Sequence, residues 1–437
     1  MDYKNMIFKH QRVHFIGVGG VSMCELARYL HSRQVKVSGS DIRDSDNLRS
    51  LIQLGIPCQV GHRVDLVQDA FIVVVNCAID EDNAELQYAR RNNIEVVTRA
   101  ELLGEVCKDF DKVIAVAGCH GKTTTATMIY SILRAHGERV SCHIGASLPD
   151  ARMEYGDEYL VVEACEYKRS FLSIKPFVAV ITNVERDHLD YYTDLDDIQS
   201  AFGEFVTQAQ HVIVGDNMTT EFLGLTRSDV AVQGVRFDTT NGRTEFSVVT
   251  DRCLPVSIST LGRYNVDNAV LAIRTAWALG QSDRAIVNGL ADFVPVARRS
   301  QTIGLYRDAD VVIDYAHHPT EIDNFHNLAS SIYHEYVFVF QPHTYSRTKA
   351  LLDDFVRVLK DIPNLIIYKE YPARESESQG MSAKSLVKVL RQNKVKCSYV
   401  DSLTKLNKAL DNYNADAYLF VGAGDIDQLA KSLVSAE

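Results

Sequence analysis

Short apolar runs alternate with amphipathic, helix-compatible stretches along all 437 residues of the chain. Most of these runs end at a glycine, aspartate, asparagine or proline, which is typical of buried strands in a mostly parallel sheet. The alternation predicts an α/β fold. We predict strands at residues 13–16, 71–75, 113–116, 160–162, 178–181, 311–313, 337–340, 365–368 and 418–421.

Two of the predicted strands run directly into glycine loops, one near residue 17 and one near residue 118. Each arrangement is typical of the first strand-to-helix turn of a nucleotide-binding domain, so two such domains are expected in succession. Strand–helix alternation then restarts after Arg299 and leads to a strand that enters Asp314. We therefore predict domains at residues 1–107, 108–299 and 300–437.

Composition excludes several classes of protein. The nine cysteines are scattered and never form a CxxC pair, so neither a disulfide framework nor a zinc site is predicted. A net charge of -11 disfavours extended contact with nucleic acid. No apolar run approaches the roughly 18 residues of a membrane span, and the first residues lack the apolar core of a secretory signal. We expect a cytoplasmic protein that binds neither nucleic acid nor a membrane.

A phosphate-binding loop follows the strand at 113–116. The backbone N–H groups of the loop and the positive helix end would surround the β- and γ-phosphates of ATP. Lys122 would add a cation, and the Thr123 hydroxyl could bind Mg²⁺. The alternative is a tight turn with a solvated lysine. Only two residues separate the glycines, where the general motif has four. The predicted ATP-binding loop consists of Gly118, Cys119, His120, Gly121, Lys122, Thr123 and Thr124.

Acidic residues and a histidine follow the next two strands. Glu163 and Glu166 come after the strand at 160–162, and Asp187 with His188 comes after the strand at 178–181. We expect both strand ends to open on one crevice, where Glu163 and His188 would complete the Mg²⁺ site with Thr123. Taken singly, each of these residues could equally be a solvated loop group.

With these residues identified, the chain resembles the Mur ligase family over nearly its full length. The order of the motifs is as informative as their content. They are residues 14–20 (HFIGVGG), 39–41 (GSD), 99–101 (RAE), 118–124 (GCHGKTT), Glu163, Asn183, 187–188 (DH), Asn265, Asn268, 298–299 (RR), 314–319 (DYAHHP), 340–348 (FQPHTYSRT) and 422–426 (GAGDI).

The resemblance implies a Rossmann-like N-terminal domain for a UDP sugar, a P-loop ATPase-type central domain and a Rossmann-like C-terminal domain for an amino acid. It also implies ATP-dependent ligation of L-alanine to UDP-N-acetylmuramic acid through an acyl phosphate, in peptidoglycan synthesis. We expect a monomer or a weak homodimer. Two alternatives are a ligase that attaches a preformed peptide to the same sugar nucleotide, and a catalytically silent nucleotide-binding protein of the same fold.

The resemblance also assigns roles to individual residues. The UDP-sugar site would comprise Gly17, Gly19, Gly20, Asp41 and His120. The ATP site would add Asn268, with Asn265 as a further candidate, and Asp314 to the phosphate loop, although asparagines also cap helices. The amino-acid site would comprise Tyr315, His317, His318 and Arg347. The catalytic set would be Lys122, His188, Arg298, Arg299, His317 and Arg347.

Three of these roles leave alternatives open. Arg298 or Arg299 could contact the γ-phosphate, and a histidine of the third domain could accept an amine proton or simply hydrogen-bond to the substrate. Arg347 is suited to a carboxylate because its planar guanidinium binds such groups bidentately, although a surface ion pair is the alternative. Thr344 replaces an arginine common in the family, which leaves the details of the alanine contacts open.

Overall fold

The computed structural model describes residues 11–146, 152–215, 217–224, 230–373 and 375–434. These residues form two compact units. The first contains the described residues of 1–184, 199–228 and 268–293, and the second contains those of 185–198, 229–267 and 294–437. Within these described ranges, no helix has the length and apolar character needed to cross a membrane.

The first unit begins with a five-stranded parallel sheet in the order β3-β2-β1-β4-β5. Its central strand is fully buried at Phe15 and Ile16, as expected for a parallel strand with both faces covered. The strands are β1 (Arg12–Ile16), β2 (Lys36–Asp41), β3 (Cys58–Val60), β4 (Ala70–Val75) and β5 (Glu95–Thr98). The helices are α1 (Val21–Ser32), α2 (Asp46–Gln53), α3 (Ala84–Arg91) and α4 (Arg99–Cys107).

A second parallel sheet has the order β10-β9-β6-β8-β7. Because β8 and β9 flank β6 in parallel, their carboxyl ends lie at the edge where the phosphate loop begins. The strands are β6 (Lys112–Ala117), β7 (Val140–His143), β8 (Tyr159–Glu163), β9 (Val178–Ile181) and β10 (His211–Val214). The helices that follow are α5 (Lys122–His136), a 3₁₀ helix (Tyr167–Ser173), α6 (Leu195–Thr207), α7 (Asn217–Phe222), α8 (Arg263–Ala278) and α9 (Asp283–Ala291).

A three-stranded antiparallel sheet, β11-β12-β13, lies in the second unit and was not predicted from the apolar runs. In β12, Thr244, Phe246 and Val248 are buried and alternate with more exposed residues. Such a strand has one covered face, so its apolar residues never form a continuous run. Its strands are β11 (Ala231–Asp238), β12 (Arg243–Val249) and β13 (Cys253–Ile258).

The second unit also contains a six-stranded sheet in the order β14-β15-β19-β16-β17-β18, in which only β14 is antiparallel. Successive residues of β16 enter two different apolar clusters, because neighbouring side chains point to opposite faces. The strands are β14 (Gln301–Tyr306), β15 (Ala309–Asp314), β16 (Tyr336–Phe340), β17 (Leu365–Tyr368), β18 (Cys397–Val400) and β19 (Ala417–Val421). The helices are α10 (Pro319–Ile332), α11 (Tyr345–Ala350), α12 (Leu352–Leu359), a 3₁₀ helix (Glu377–Gln379), α13 (Ala383–Gln392), α14 (Leu403–Leu410) and α15 (Ile426–Val434).

All nine predicted apolar runs lie within strands, and the α/β fold class is confirmed. The predicted boundary at residue 107 coincides with the end of α4, and the one at residue 299 lies between α9 and β14. The partition of the chain into three domains at these two positions stays a prediction.

Candidate active site

The phosphate loop between β6 and α5 depends on glycine at two positions. Gly118 has a φ of +135° and Gly121 a φ of +80°, conformations that side chains disfavour. A Cβ on Gly118 would lie 2.0 Å from Thr182 Oγ1, and a Cβ on Gly121 would lie 2.3 Å from Asn268 Oδ1. Both glycines are therefore needed for the backbone path and for the close approach of neighbouring side chains.

Asn183, two residues beyond β9, holds the phosphate loop from one side. Its Oδ1 accepts a hydrogen bond from the His120 backbone N–H at 3.0 Å, and its Nδ2 donates to the His120 carbonyl at 3.1 Å. The Asn183 carbonyl accepts a further bond from the Cys119 N–H at 3.2 Å. The conformation of the loop is thus stabilised in the absence of a nucleotide.

Lys122 opens α5 and pairs with a buried carboxylate. Its Nζ lies 3.1 Å from Glu166, whose side chain is 2% exposed, and also donates to the carbonyls of Gly118 and Cys119. Burial alone would lower the pKa of the ammonium, but the carboxylates of Glu166 and Glu163 outweigh burial and raise that pKa. Lys122 therefore supplies a fixed positive charge to the loop.

Glu163 and Thr123 place a carboxylate and a hydroxyl oxygen beside the same loop. One carboxylate oxygen of Glu163 accepts hydrogen bonds from Thr123 Oγ1 at 3.0 Å and from the Gly145 N–H at 2.9 Å. Hydroxyl and carboxylate oxygens are the ligands that Mg²⁺ prefers, so these two side chains fit the predicted ion. His188 belongs to the second unit, and its place in the same metal site stays a prediction.

The glycine loop of the first sheet is organised around Asp41. Gly17 has a φ of +83°, and the Gly19 N–H donates to Asp41 Oδ2 at 2.9 Å. A Cβ on Gly19 would lie 2.8 Å from that carboxylate oxygen. Gly20 precedes α1 as its N-cap residue and provides no side-chain hydrogen bond to the first turn. The structure gives Asp41 a role in holding the loop, and its predicted contact with uridine is untested.

The other predicted ATP-site residues form hydrogen bonds within the protein. Asn268 is 8% exposed, and its Oδ1 accepts a hydrogen bond from Thr125 Oγ1 at 3.3 Å in α5. Asn265 donates to acceptors in the turn that precedes it. Asp314 accepts two backbone N–H groups, at 2.8 and 2.7 Å, and so fixes the segment after β15. Of the two candidate asparagines, Asn268 is thus the one that contacts α5 beside the phosphate loop.

In the second unit, Arg347 forms a buried ion pair. Its Nη2 and Nε donate to Asp187 Oδ1 at 2.9 and 3.1 Å, and its Nη1 donates to His343 Nδ1 at 3.1 Å. Burial would raise the pKa of Asp187, but the Arg347 guanidinium outweighs it and holds that pKa well below the ordinary value. The side chains of Arg347 and Asp187 are only 10% and 6% exposed, which excludes the alternative of an exposed surface ion pair.

The two histidines after β15 have different surroundings. His318 caps α10, where its Nδ1 accepts the Thr320 N–H at 3.3 Å, so its Nε2–H donates to the Arg186 carbonyl at 3.1 Å. His317 Nδ1 lies 3.0 Å from the Tyr315 carbonyl and 3.2 Å from a Glu321 carboxylate oxygen. Since both neighbours only accept, Nδ1 of His317 carries the proton and Nε2 keeps its lone pair.

Arginines 298 and 299 flank the ring of Tyr315, with guanidinium carbons 4.8 and 5.1 Å from its centroid. Arg298 Nη2 also donates to the carbonyls of Gly422 and Gly424 at 2.8 and 2.9 Å. Arg299 lies 4.0 Å from Glu321. The Arg298 side chain is therefore fixed by hydrogen bonds to the loop after β19, and the Arg299 side chain is held less tightly.

The structure adds four residues to which no role was given from the sequence: Asn183, Glu166, Asp187 and His343. Each follows the carboxyl end of a strand, and Asn183, Asp187 and His343 also lie in motifs of the family resemblance, so both signals pointed to these positions without giving their partners. The segment 181–190, which follows β9, is also divided between the two units, because the first unit ends at Val184 and resumes at Gln199. Hence Glu163 and His188, predicted to share one crevice, lie in separate units.

Gly118→Ala tests the packing of the phosphate loop. Because the new methyl group would overlap Thr182, we expect ATP affinity to fall by about tenfold or more, with a loss of stability of about 1–3 kcal/mol. Nucleotide titration and urea unfolding measure the two effects. Gly137→Ala is the matched control: it also has a positive φ, of +92°, but has no atom within 4 Å of its Cβ. Equal losses of ATP affinity in the two variants would contradict the packing argument.

His343 makes the stability of the protein depend on pH. Burial, with the nearby charges of His317 and Arg347, lowers the pKa of His343 to about 2, and Asp187 and His188 also face it. As pH falls below about 6.5, the unfolded histidine binds a proton that the folded one does not, so stability falls by about 1.4 kcal/mol per pH unit. His343→Gln should remove this contribution to the slope between pH 6.5 and 4.5, as measured by urea unfolding. Identical slopes there would contradict the prediction. Between pH 7.5 and 8.5 the two slopes should match.

The chain matches three family models in succession. Residues 12–111 match the Mur ligase family, catalytic domain; residues 116–276 match the Mur ligase middle domain; and residues 298–424 match the Mur ligase, glutamate ligase domain. The UDP-N-acetylmuramate–L-alanine ligase of Clostridium acetobutylicum is 36% identical over 99% of both chains. That of Clostridium perfringens is 36% identical over 95% of this chain and 96% of its own.

Solved structures show the same fold. The UDP-N-acetylmuramate-alanine ligase of Thermotoga maritima has a TM-score of 0.82 and 26% identity, over 98% of this chain and 99% of its own. A murein peptide ligase from Psychrobacter arcticus has a TM-score of 0.72 and 23% identity, over 98% of both chains. The three successive family models and the relatives matched over nearly their full length agree, and the chain belongs to the Mur ligase family.

Proposed function

We propose that the chain joins L-alanine to UDP-N-acetylmuramic acid and converts ATP to ADP and phosphate, giving UDP-N-acetylmuramoyl-L-alanine for peptidoglycan synthesis. The observation that supports ATP dependence is the phosphate loop, in which Lys122 contacts Glu166 and Thr123 contacts Glu163, both at the carboxyl end of β8. The choice of substrates is supported by the full-length relatives, which are named alanine ligases.

The first step transfers the γ-phosphoryl group of ATP to the muramoyl carboxylate, so that an acyl phosphate forms and ADP leaves. The N–H groups at the start of α5 and the Lys122 ammonium stabilise the charge that develops on the phosphate oxygens, since those of Cys119 and His120 already donate to Asn183. Mg²⁺ held by Thr123 and Glu163 would neutralise phosphate charge. Lys122 exchanges its contact with Glu166 for the phosphates when ATP binds.

In the second step, the alanine amine attacks the acyl carbon, a C–N bond forms, and the C–O bond to phosphate breaks. We assign the proton of the amine to His317 Nε2, because Nδ1 is protonated beside Glu321 and both ring nitrogens of His318 are occupied. Arg347 has five N–H groups and uses three in the contacts with Asp187 and His343. The remaining two, one on each terminal nitrogen, bind the alanine carboxylate.

The test is ADP formation with UDP-N-acetylmuramic acid and, in turn, alanine, glycine, serine and a stem tripeptide. We expect alanine to give the highest kcat/KM and ADP release to require both the sugar nucleotide and the amino acid. Preference for the tripeptide would instead identify a peptide-recycling ligase. Nucleotide binding without turnover for any acceptor would identify a silent member of the family.

A further inference from the structure

A hydrogen-bond network joins the glycine loop of the first sheet to the second sheet. Ser22, the second residue of α1, has its Oγ 2.8 Å from Nε2 of His143, the last residue of β7. The same oxygen accepts a hydrogen bond from Nη1 of Arg99, the first residue of α4, at 3.2 Å. Three elements of the first unit therefore meet at one hydroxyl group, directly after Gly17–Gly20.

The surroundings of His143 decide which way the hydrogen bonds run. The ring is 2% exposed, and its buried Nδ1 has no hydrogen-bond partner in the described structure. If Ser22 donated to Nε2, the proton would sit on Nδ1 as a buried N–H without an acceptor, which is rare in proteins. A lone pair on Nδ1 is the less costly arrangement. His143 Nε2–H therefore donates to Ser22.

Burial, with the charge of Arg99, lowers the pKa of His143 to about 3, so the ring is neutral at physiological pH. Arginine can only donate, so the Ser22 oxygen accepts from both Arg99 and His143. The hydroxyl proton of Ser22 is then left for another acceptor. Ser22 is partly exposed and lies in the first turn of α1, where helix N–H groups favour an anion.

We propose that the Ser22 hydroxyl donates a hydrogen bond to a pyrophosphate oxygen of the UDP sugar, with His143 and Arg99 as positioning residues that fix the Ser22 oxygen. The inference rests on the proposed function, because it takes the sugar nucleotide as the ligand of the glycine loop. The proposal adds a side chain to the glycines that contact the ligand. It also connects the binding site of the sugar nucleotide to β7, a strand of the sheet that carries the phosphate loop.

The test measures binding of UDP-N-acetylmuramic acid by calorimetry without ATP, together with steady-state kinetics. Ser22→Ala loses a hydrogen bond to a charged group, so its affinity for the sugar nucleotide should fall by about tenfold or more. Its KM for that substrate should rise in parallel, while the KM for ATP and kcat stay close to wild type. Ser22→Thr keeps a hydroxyl and should restore binding to within about threefold.

A second matched pair of variants, at His143, tests the positioning role of that residue. His143→Gln keeps an N–H donor for Ser22 and should bind the sugar nucleotide nearly as well as wild type. His143→Phe removes the donor and should bind it more weakly. If His143→Phe fails to fold, the Ser22 pair still decides the question.

The outcomes separate this inference from the function on which it rests. A wild-type protein that does not bind UDP-N-acetylmuramic acid refutes the proposed function. A wild-type protein that binds it, with Ser22→Ala binding equally tightly, refutes only the role of Ser22. Equal losses of affinity for ATP and for the sugar nucleotide in Ser22→Ala would point to a general structural role and also overturn the inference.

Discussion

Lys122→Ala should lower kcat by at least about 10³-fold in the ADP-release assay, because the Lys122 ammonium lies within the phosphate loop, against the carbonyls of Gly118 and Cys119. Affinity for ATP should fall less, since the N–H groups of the loop remain. The Glu166 side chain is 2% exposed and would lose its ion pair with Lys122, so the single substitution also destabilises the protein, by about 3–5 kcal/mol.

Lys122→Ala combined with Glu166→Gln separates the two effects. The double variant also removes the buried negative charge of Glu166, so it should regain stability in urea unfolding and stay inactive. Lys112→Ala is the matched control, because Lys112 lies at the other end of β6 and pairs with the partly exposed Glu158. Lys112→Ala should keep wild-type kcat. Substantial turnover in a folded Lys122 variant would refute the role of the loop.

Arg347→Lys should raise the KM for alanine by about 10²-fold and leave the KM for UDP-N-acetylmuramic acid nearly unchanged. An ammonium keeps the charge opposite Asp187 but cannot bind that carboxylate and the carboxylate of alanine in two parallel pairs. Initial rates with varied alanine, at saturating ATP and sugar nucleotide, give the two constants.

Arg357→Lys serves as the control for Arg347→Lys, because Arg357 lies on α12 with its side chain 63% exposed. It should match wild type in both constants. A wild-type KM for alanine in Arg347→Lys would remove Arg347 from the amino-acid site and leave the pair with Asp187 as a purely structural contact.

The sequence was most informative where strands are buried on both faces. Val337, Phe338, Val339 and Phe340 form an unbroken apolar run because every side chain of β16 enters a core. The alternating pattern of β12 was missed because only one of its faces is covered. β2 was also absent from the predicted runs, because Ser38, Gly39 and Ser40 interrupt its apolar character.

The site shows a similar limit. Gly118, Lys122, Thr123 and Glu163 were recognisable because phosphate binding demands those residue types at short spacing. Their partners come from distant parts of the chain, as Asn268 does beside Gly121, and spacing carries no information on such pairs. The contact between His343 and Arg347, four residues apart, needed coordinates because His343 lies outside α11 and the contact depends on which ring nitrogen accepts.

The internal ion pair at Lys122 affects how ligands compete for the loop. Lys122 has a counter-ion within the protein in Glu166, so an incoming anion gains only the difference between its own attraction and that of the carboxylate. A triphosphate carries more charge than inorganic phosphate and extends further toward the N–H groups at the start of α5. We therefore expect small anions to compete poorly with a triphosphate for this loop.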